Sequence, residues 1–113
     1  MKRGEIWWAE LPQPAGRRPV VLLSRDEAYG VRELVTVAPV TTRVRNLPVE
    51  VPLGKREGLP RPCVANLDTI TTIPKTCLVE RILLLPAGKV AELDAAIGFA
   101  LGLPWPSSGS SLG

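Results

Sequence analysis

The sequence predicts one mostly β domain with a single helix at its C-terminal end: a small SH3-like β-barrel or a twisted antiparallel sheet. Three observations carry this reading. Short runs rich in β-branched and aromatic residues recur over the first 85 positions, separated by Pro and Gly. One of them, "PVVLLS" at 19–24, is apolar without alternation, as a central strand covered on both faces must be. Only residues 87–101 repeat apolar side chains at helical spacing.

The elements follow in order. "EIWWAEL" (5–11) lies between Gly4 and Pro12, and period-two alternation puts Ile6, Trp8 and Glu10 on one face. "PVVLLS" is the central strand. "DEAYGVR" (26–32) is polar and contains a glycine, which makes it a loop or one helical turn. "ELVTVAPVTT" (33–42) is a β-branched strand in which Pro39 implies a bulge or an early end to pairing. Pro48 and Pro52 each lack a ladder donor, so "LPVEVPL" (47–53) reads as an edge strand, and "GKREGLPRP" (54–62) as the loop after it. Two short strands are expected near 63–67 and 69–73. "VERILLL" (79–85) is a strand or the start of a helix. Val90, Leu93, Ile97 and Leu101 then mark a helix from Ala87 to Leu101. "PWPSSGSSLG" (104–113) lacks core-forming residues and reads as a flexible tail, leaving a folded domain of residues 1–103.

At 113 residues the chain can build one core, yet is small enough for a partner subunit to add substantially to stability, so a homo-oligomer is expected. The apolar runs are too short to cross a bilayer and no secretion signal is visible, which suggests a cytoplasmic protein with no membrane partner. Cys63 and Cys77 lie outside any CxxC pattern, and the chain has no histidine to complete a metal set. Free thiols are expected, with no metal and no cofactor.

The formal charge of +3 is unevenly spread. Residues 1–61 carry eleven basic and seven acidic side chains, and residues 62–113 carry three and four, so the excess cation lies in the first half. Ten of the fourteen basic residues are Arg, whose planar fork suits bidentate phosphate contacts and stacking on bases. The alternative is solvated surface charge.

Two segments concentrate chemistry-bearing residues. In "PAGRRPVVLLS", Pro19 biases Arg18 toward extended backbone, so Arg17 and Arg18 point to opposite sides of the chain at the sheet rim. They either serve a groove or act as polar gatekeepers beside a sticky strand. In "VAPVTTRVR", Thr41 and Thr42 precede Arg43 and Arg45. With this strand beside 19–24, Thr41, Thr42 and Arg18 converge at one rim. Asp68, in "NLDTIT", is a lone acid that sits in a turn or pairs with a cation.

In order and interval, "KRGEIWWAEL", "AGRRPVVLLS", "VAPVTTR" and "NLDTITTIP" resemble the MazF/PemK family of toxin endoribonucleases, over roughly residues 2–101. The resemblance implies a dimeric CcdB/Kid-type barrel that cleaves single-stranded RNA at short preferred sequences, and a cognate antitoxin that lays a disordered segment over the active groove. It also implies Arg18 as the residue that stabilises the transferring phosphate and can donate a proton, and Thr41 as its partner. Asp68 falls where some members place an acid in the substrate groove. The sequence departs from many relatives at Gln13, which stands where they carry a glutamate.

RNA supplies its own nucleophile, the 2′-hydroxyl, so such an enzyme needs to align that oxygen and stabilise developing charge, a task with no metal requirement. Candidate bases are Asp68, Glu10 or a water held by the phosphate. Phosphate contacts are expected from Arg17, Arg43 and Arg45, with Lys55 and Arg56 in the later loop. Thr42 and Asn66, beside the catalytic positions, are expected to bind the RNA as well, and Trp8 offers a stacking face or packs in the core. The alternatives are a non-catalytic, CcdB-like topoisomerase poison and an RNA-binding barrel without cleavage.

Overall fold

The computed structural model describes residues 1–104. The proposed flexible tail therefore lies outside the described residues except for Pro104. Seven strands and two helices follow one another: β1 (Glu5–Glu10), β2 (Arg17–Leu22), α1 (Ala28–Val31), β3 (Leu34–Thr41), β4 (Glu50–Leu53), β5 (Cys63–Asn66), β6 (Thr71–Pro74), β7 (Leu78–Leu84) and α2 (Ala87–Leu101). The strands form one antiparallel sheet in the order β4-β5-β3-β2-β1-β7, with β6 also paired to β3. The sheet is not closed, so the twisted sheet, rather than the barrel, is the architecture. No helix of the described residues is long and apolar enough to cross a membrane.

The unbroken apolar run of β2 has the two-sided burial its sequence implies. Val21 and Leu23 enter one apolar cluster with Ile6, Ala38 and Val40, while Val20 and Leu22 enter a second with Ala9, Val35 and Val37. Leu93 and Ala96 of α2 cover the first cluster, with Val90 and Ile97 partly buried against it. Leu101 departs from the expected helical stripe and is exposed, as are Phe99 and Leu103.

Pro39 does not end β3. It pairs with Val20 on the β2 side, while on the other side β3 changes partner, from β6 (through Val37) to β5 (from Val40). A residue without an N–H sits at the gap between the two ladders, where no donor is required. The strands expected at 63–67 and 69–73 are thus two pieces of one broken partner of β3, interrupted by a 3₁₀ turn at Leu67–Thr69. The 26–32 segment forms one helical turn, β4 is an edge strand, and residues 78–84 are a strand rather than a helix.

Gly4 permits the close approach of α2 to the chain's start. Its φ is +93°, and a Cβ there would lie 2.9 Å from Val90 Cγ2. Its N–H donates to the Leu22 carbonyl and its own carbonyl accepts from Leu85 N–H, tying β2 and the β7–α2 junction together.

Next to it, Glu5 is the charged anchor of β1, only 7% exposed. Its carboxylate accepts from Trp7 Nε1 (2.9 Å), Arg81 Nε (2.9 Å) and the Lys2 N–H (3.0 Å). Burial pushes its pKa up, but the hydrogen bonds from Trp7, Arg81 and Lys2 and the nearby N-terminal charge together hold it below the usual 4.5. A depressed folded-state pKa means that this group's stabilisation is complete above the unfolded value and is lost as pH falls through the folded one. Glu5→Ala is expected to cost about 1–3 kcal/mol at neutral pH by stranding those donors, and to flatten the acid limb of stability. Thermal melts of both proteins from about pH 7 to pH 3 check this.

Candidate active site

The two adjacent arginines leave the β1–β2 hairpin for different environments. Arg17 stands opposite Glu10 and Arg18 opposite Ala9, so the alternation of β2 sends them to opposite faces. Arg17 is engaged by Glu10 (Nη1–Oε2, 3.1 Å) and more loosely by Glu80 (Nη2–Oε1, 3.6 Å), and its guanidinium carbon lies 4.9 Å from the Trp8 ring centroid. Arg18 has no carboxylate partner among the described residues. Its Nε donates to the Ala15 carbonyl (3.3 Å), which orients the fork and leaves the terminal nitrogens for another acceptor.

The turn that delivers Arg18 is fixed by backbone bonds from Leu11 N–H to Gly16 O and from Ala15 N–H to Pro12 O. Gly16 takes φ +64° beside the Gln13 side chain, so an L residue there would be strained. Gln13 is exposed and lines neither cavity described below.

Continuing the β2–β3 register by two residues brings Thr41 across from Arg18. Both residues line two adjoining cavities and form part of the wall between them. The first, of about 200 Å³, is polar: Arg43, Arg45, Glu50 and Asn66 share it with Arg18 and Thr41. The second, of about 390 Å³, is largely apolar, with Trp8, Pro19, Leu59, Pro60 and Ile82 among its walls and Thr42 and Arg61 among its polar groups.

Within the polar cavity the hydroxyl of Thr41 has a defined sense. Its oxygen accepts the Arg43 N–H (3.1 Å), so its proton is free to be donated outward. Asn66 Oδ1 is likewise occupied, by the Asp68 N–H (2.9 Å), which leaves the amide NH₂ as its available group. That bond also fixes the turn in which Asp68 sits. Asp68 is exposed and lines neither cavity, so the structure does not bring it to Arg18 and Thr41.

Lys55 and Arg56 are also exposed in a 3₁₀ turn away from both walls; the cation of that loop that reaches a cavity is Arg61. Glu10 pairs with Arg17 instead of facing the cavities. Trp8 is half-buried, with Arg17 across its ring.

Two residues of the site were not singled out from the sequence. Arg61 gives no periodic signal, lying between two prolines in a loop. Glu50 had a readable one: it is an acid inside the apolar run "VEVPL", and a carboxylate there needs partners. Cys63, at the base of the apolar cavity, is a free thiol whose pKa is raised by burial and by the charge of Glu57, so it stays protonated and is a poor nucleophile. Among the described residues no three His, Cys, Asp or Glu side chains are grouped to hold a metal ion.

The chain as a whole has parallels among known proteins. A family model described as a PemK-like, MazF-like toxin of type II toxin–antitoxin systems matches residues 2–101. The probable endoribonuclease MazF5 of Mycobacterium tuberculosis is 40% identical over 92 residues, covering 80% of this chain and 79% of that protein. Among solved structures, the toxin MazF-mt6 of M. tuberculosis superposes with a TM-score of 0.82 at 40% identity, covering 89% of this chain and 99% of that one. A mycobacterial endoribonuclease in complex with its cognate antitoxin gives a TM-score of 0.83 at 27% identity, covering 94% and 99%. With the match spanning nearly all the described residues, the chain belongs to the PemK/MazF-like toxin family of type II toxin–antitoxin systems.

Proposed function

We propose that this protein is the toxin of a type II toxin–antitoxin module and acts as a metal-independent endoribonuclease on single-stranded RNA. The observation that carries the reading is the pairing of Arg18 and Thr41 on the wall between the two cavities. Among the described residues, one presents a fork with no carboxylate paired to it, and the other a hydroxyl proton with no internal acceptor.

A phosphodiester held there meets donors aimed at its non-bridging oxygens. The neighbouring 2′-oxygen attacks phosphorus, the bond to the 5′-oxygen breaks, and the products are a 2′,3′-cyclic phosphate and a 5′-hydroxyl. The 2′-hydroxyl proton passes to a water held by the phosphate, the departing 5′-oxygen takes a proton from the Arg18 guanidinium, and the proton on that water restores the guanidinium's charge. The dominant contribution is electrostatic, from donors preorganised where charge develops. Arg43 and Arg45 contact flanking phosphates, and Asn66 offers its amide to the same strand. Thr42 and Trp8 border the apolar cavity, which suits an unstacked base. Arg17 contributes through the Trp8 face rather than as a free phosphate ligand. Lys55 and Arg56 supply only long-range attraction.

The arginine-rich cavity is equally suited to an acidic, extended segment of a cognate antitoxin. The relative solved with its antitoxin supports such a partner. A homodimer is supported by apolar side chains left uncovered on β7 (Val79, Leu84) and on α2 (Phe99, Leu101).

The decisive test incubates the protein with long single-stranded RNA in excess EDTA and maps the new 5′ ends. Discrete cleavage is expected, with Arg18→Ala slower by about 10²–10³ and Thr41→Val by at least about tenfold. RNA bound but left intact by the wild type would favour a binding module. Inhibition of a topoisomerase without RNA binding would favour the CcdB-like alternative.

Asp68→Asn is expected to leave both the rate and the shape of the pH–rate profile unchanged; loss of one limb of that profile would restore Asp68 as a base. Sedimentation at micromolar concentration is expected to show a dimer, and a monomer would remove the subunit interface from the proposal.

A further inference from the structure

The polar cavity contains a residue that the reaction, as written, does not use and that phosphate binding should disfavour. Glu50 opens β4 opposite Asn66, is 9% exposed, and is the one acidic side chain on a wall that also carries Arg18, Arg43 and Arg45. A carboxylate at that position lowers the positive potential that draws RNA in.

Its hydrogen bonds show what it does instead. Oε1 accepts the backbone N–H of Arg45 at 2.9 Å and that of Leu47 at 3.4 Å, while Glu50's own N–H donates to the Leu47 carbonyl at 2.9 Å. The segment it grips, residues 42–48, is exposed throughout and belongs to no strand or helix. Asn46 within it adopts φ +59°, a conformation that needs local support in a residue with a Cβ. From the other end, Thr41 Oγ1 accepts the Arg43 N–H. Alternate N–H groups, at 43, 45 and 47, are therefore gathered by two side chains of the cavity wall.

We propose that Glu50 is a positioning residue of the RNA-binding cavity: by holding the Arg45 and Leu47 N–H groups it fixes the 42–48 segment so that Arg43 and Arg45 face the scissile region. This rests on the RNA reading above. Without the acceptor, both N–H groups turn to water and the two guanidinium groups keep their charge but lose their place. RNA binding then bears the entropy of ordering the loop.

Two conservative variants separate reach from charge. Glu50→Gln keeps a carbonyl acceptor at the same distance and removes the charge. Glu50→Asp keeps the charge and withdraws the acceptor by one methylene. The probe is a short single-stranded RNA carrying 2′-O-methyl groups throughout, which blocks cleavage, and its affinity is measured against salt concentration.

Each phosphate contact contributes about 0.7 to the slope of log affinity against log salt for a single strand. Wild type and Glu50→Gln are expected to share a slope. Glu50→Asp is expected to lose about 0.7–1.4 from it, with an affinity drop of about tenfold at low salt. Adding Glu50→Asp to Arg43→Ala/Arg45→Ala should cost nothing further, because both act through the same contacts.

Loss with Gln and retention with Asp would overturn the inference in favour of a role for the charge itself. An unchanged slope in Glu50→Asp, or full additivity with the arginine pair, would overturn it outright. If the wild-type chain shows no salt-dependent binding, the RNA reading fails first and takes this inference with it. If the wild type binds normally, a failure belongs to Glu50 alone.

Discussion

The burial of β2 and β3 between two apolar clusters constrains everything else in this fold. From Val20 to Leu23 successive side chains alternate between the clusters, and in β3 Val35 and Val37 join one cluster while Ala38 and Val40 join the other. A charge placed among them would be desolvated without a partner. The strands can carry polar, reactive groups only where they emerge, and at one end of the pair that means Arg18 on β2 and Thr41 on β3. Their meeting at the rim follows from the register that the apolar residues impose. A slip by one residue would exchange the two faces of β2 and send Arg18 to the side away from Thr41, so the register set by the core also places the site.

Preorganisation at that rim is achieved with few atoms. The Ala15 carbonyl orients Arg18, the Arg43 N–H orients the Thr41 hydroxyl, and Asn66 has its oxygen occupied by a turn of its own. In each case a backbone group takes one hydrogen-bonding capacity of the side chain and leaves its donor capacity facing the cavity. Donors fixed in advance, in a wall that is partly apolar, are what stabilise developing negative charge without reorganisation when the reaction occurs.

Much of this was legible in the residues. The continuous apolar run marked β2 as central, the β-branched run marked β3 as a strand, and the helical spacing located α2 to the residue. The meeting of Arg18 with Thr41 followed on the condition that those two strands are neighbours, and the β2–β3 pairing meets it. What did not follow depended on which partner a strand or side chain would find. Pro39 signalled an interruption but not that the outer neighbour would be split into β5 and β6. Asp68 stood out as an acid in an apolar stretch, yet the Asn66 side chain holds its turn outside both cavities. Lys55 and Arg56 were visible as charges, but a 3₁₀ turn keeps them off the wall that Arg61 reaches. Closure was equally unreadable: alternation is the same in an open twisted sheet and in a barrel, since only the pairing of the last strands distinguishes them.

The adjacent arginines at 17 and 18 show how one local pattern serves two ends. Strand alternation alone sends their side chains to opposite faces, and the surroundings then decide each fate. On one face Glu10 and Glu80 hold Arg17 across the Trp8 ring, where its guanidinium covers an aromatic surface that would otherwise lie more open to water. These ion pairs are exposed and individually weak. On the other face no acid pairs with Arg18. Glu50 shares its cavity, but accepts from the backbone N–H groups of Arg45 and Leu47 and makes no ion pair with the guanidinium. Although they leave the strands on opposite faces, Arg18 and Trp8 both reach the apolar cavity, so in the proposed complex one is suited to a phosphate and the other to a base of the same extended RNA strand.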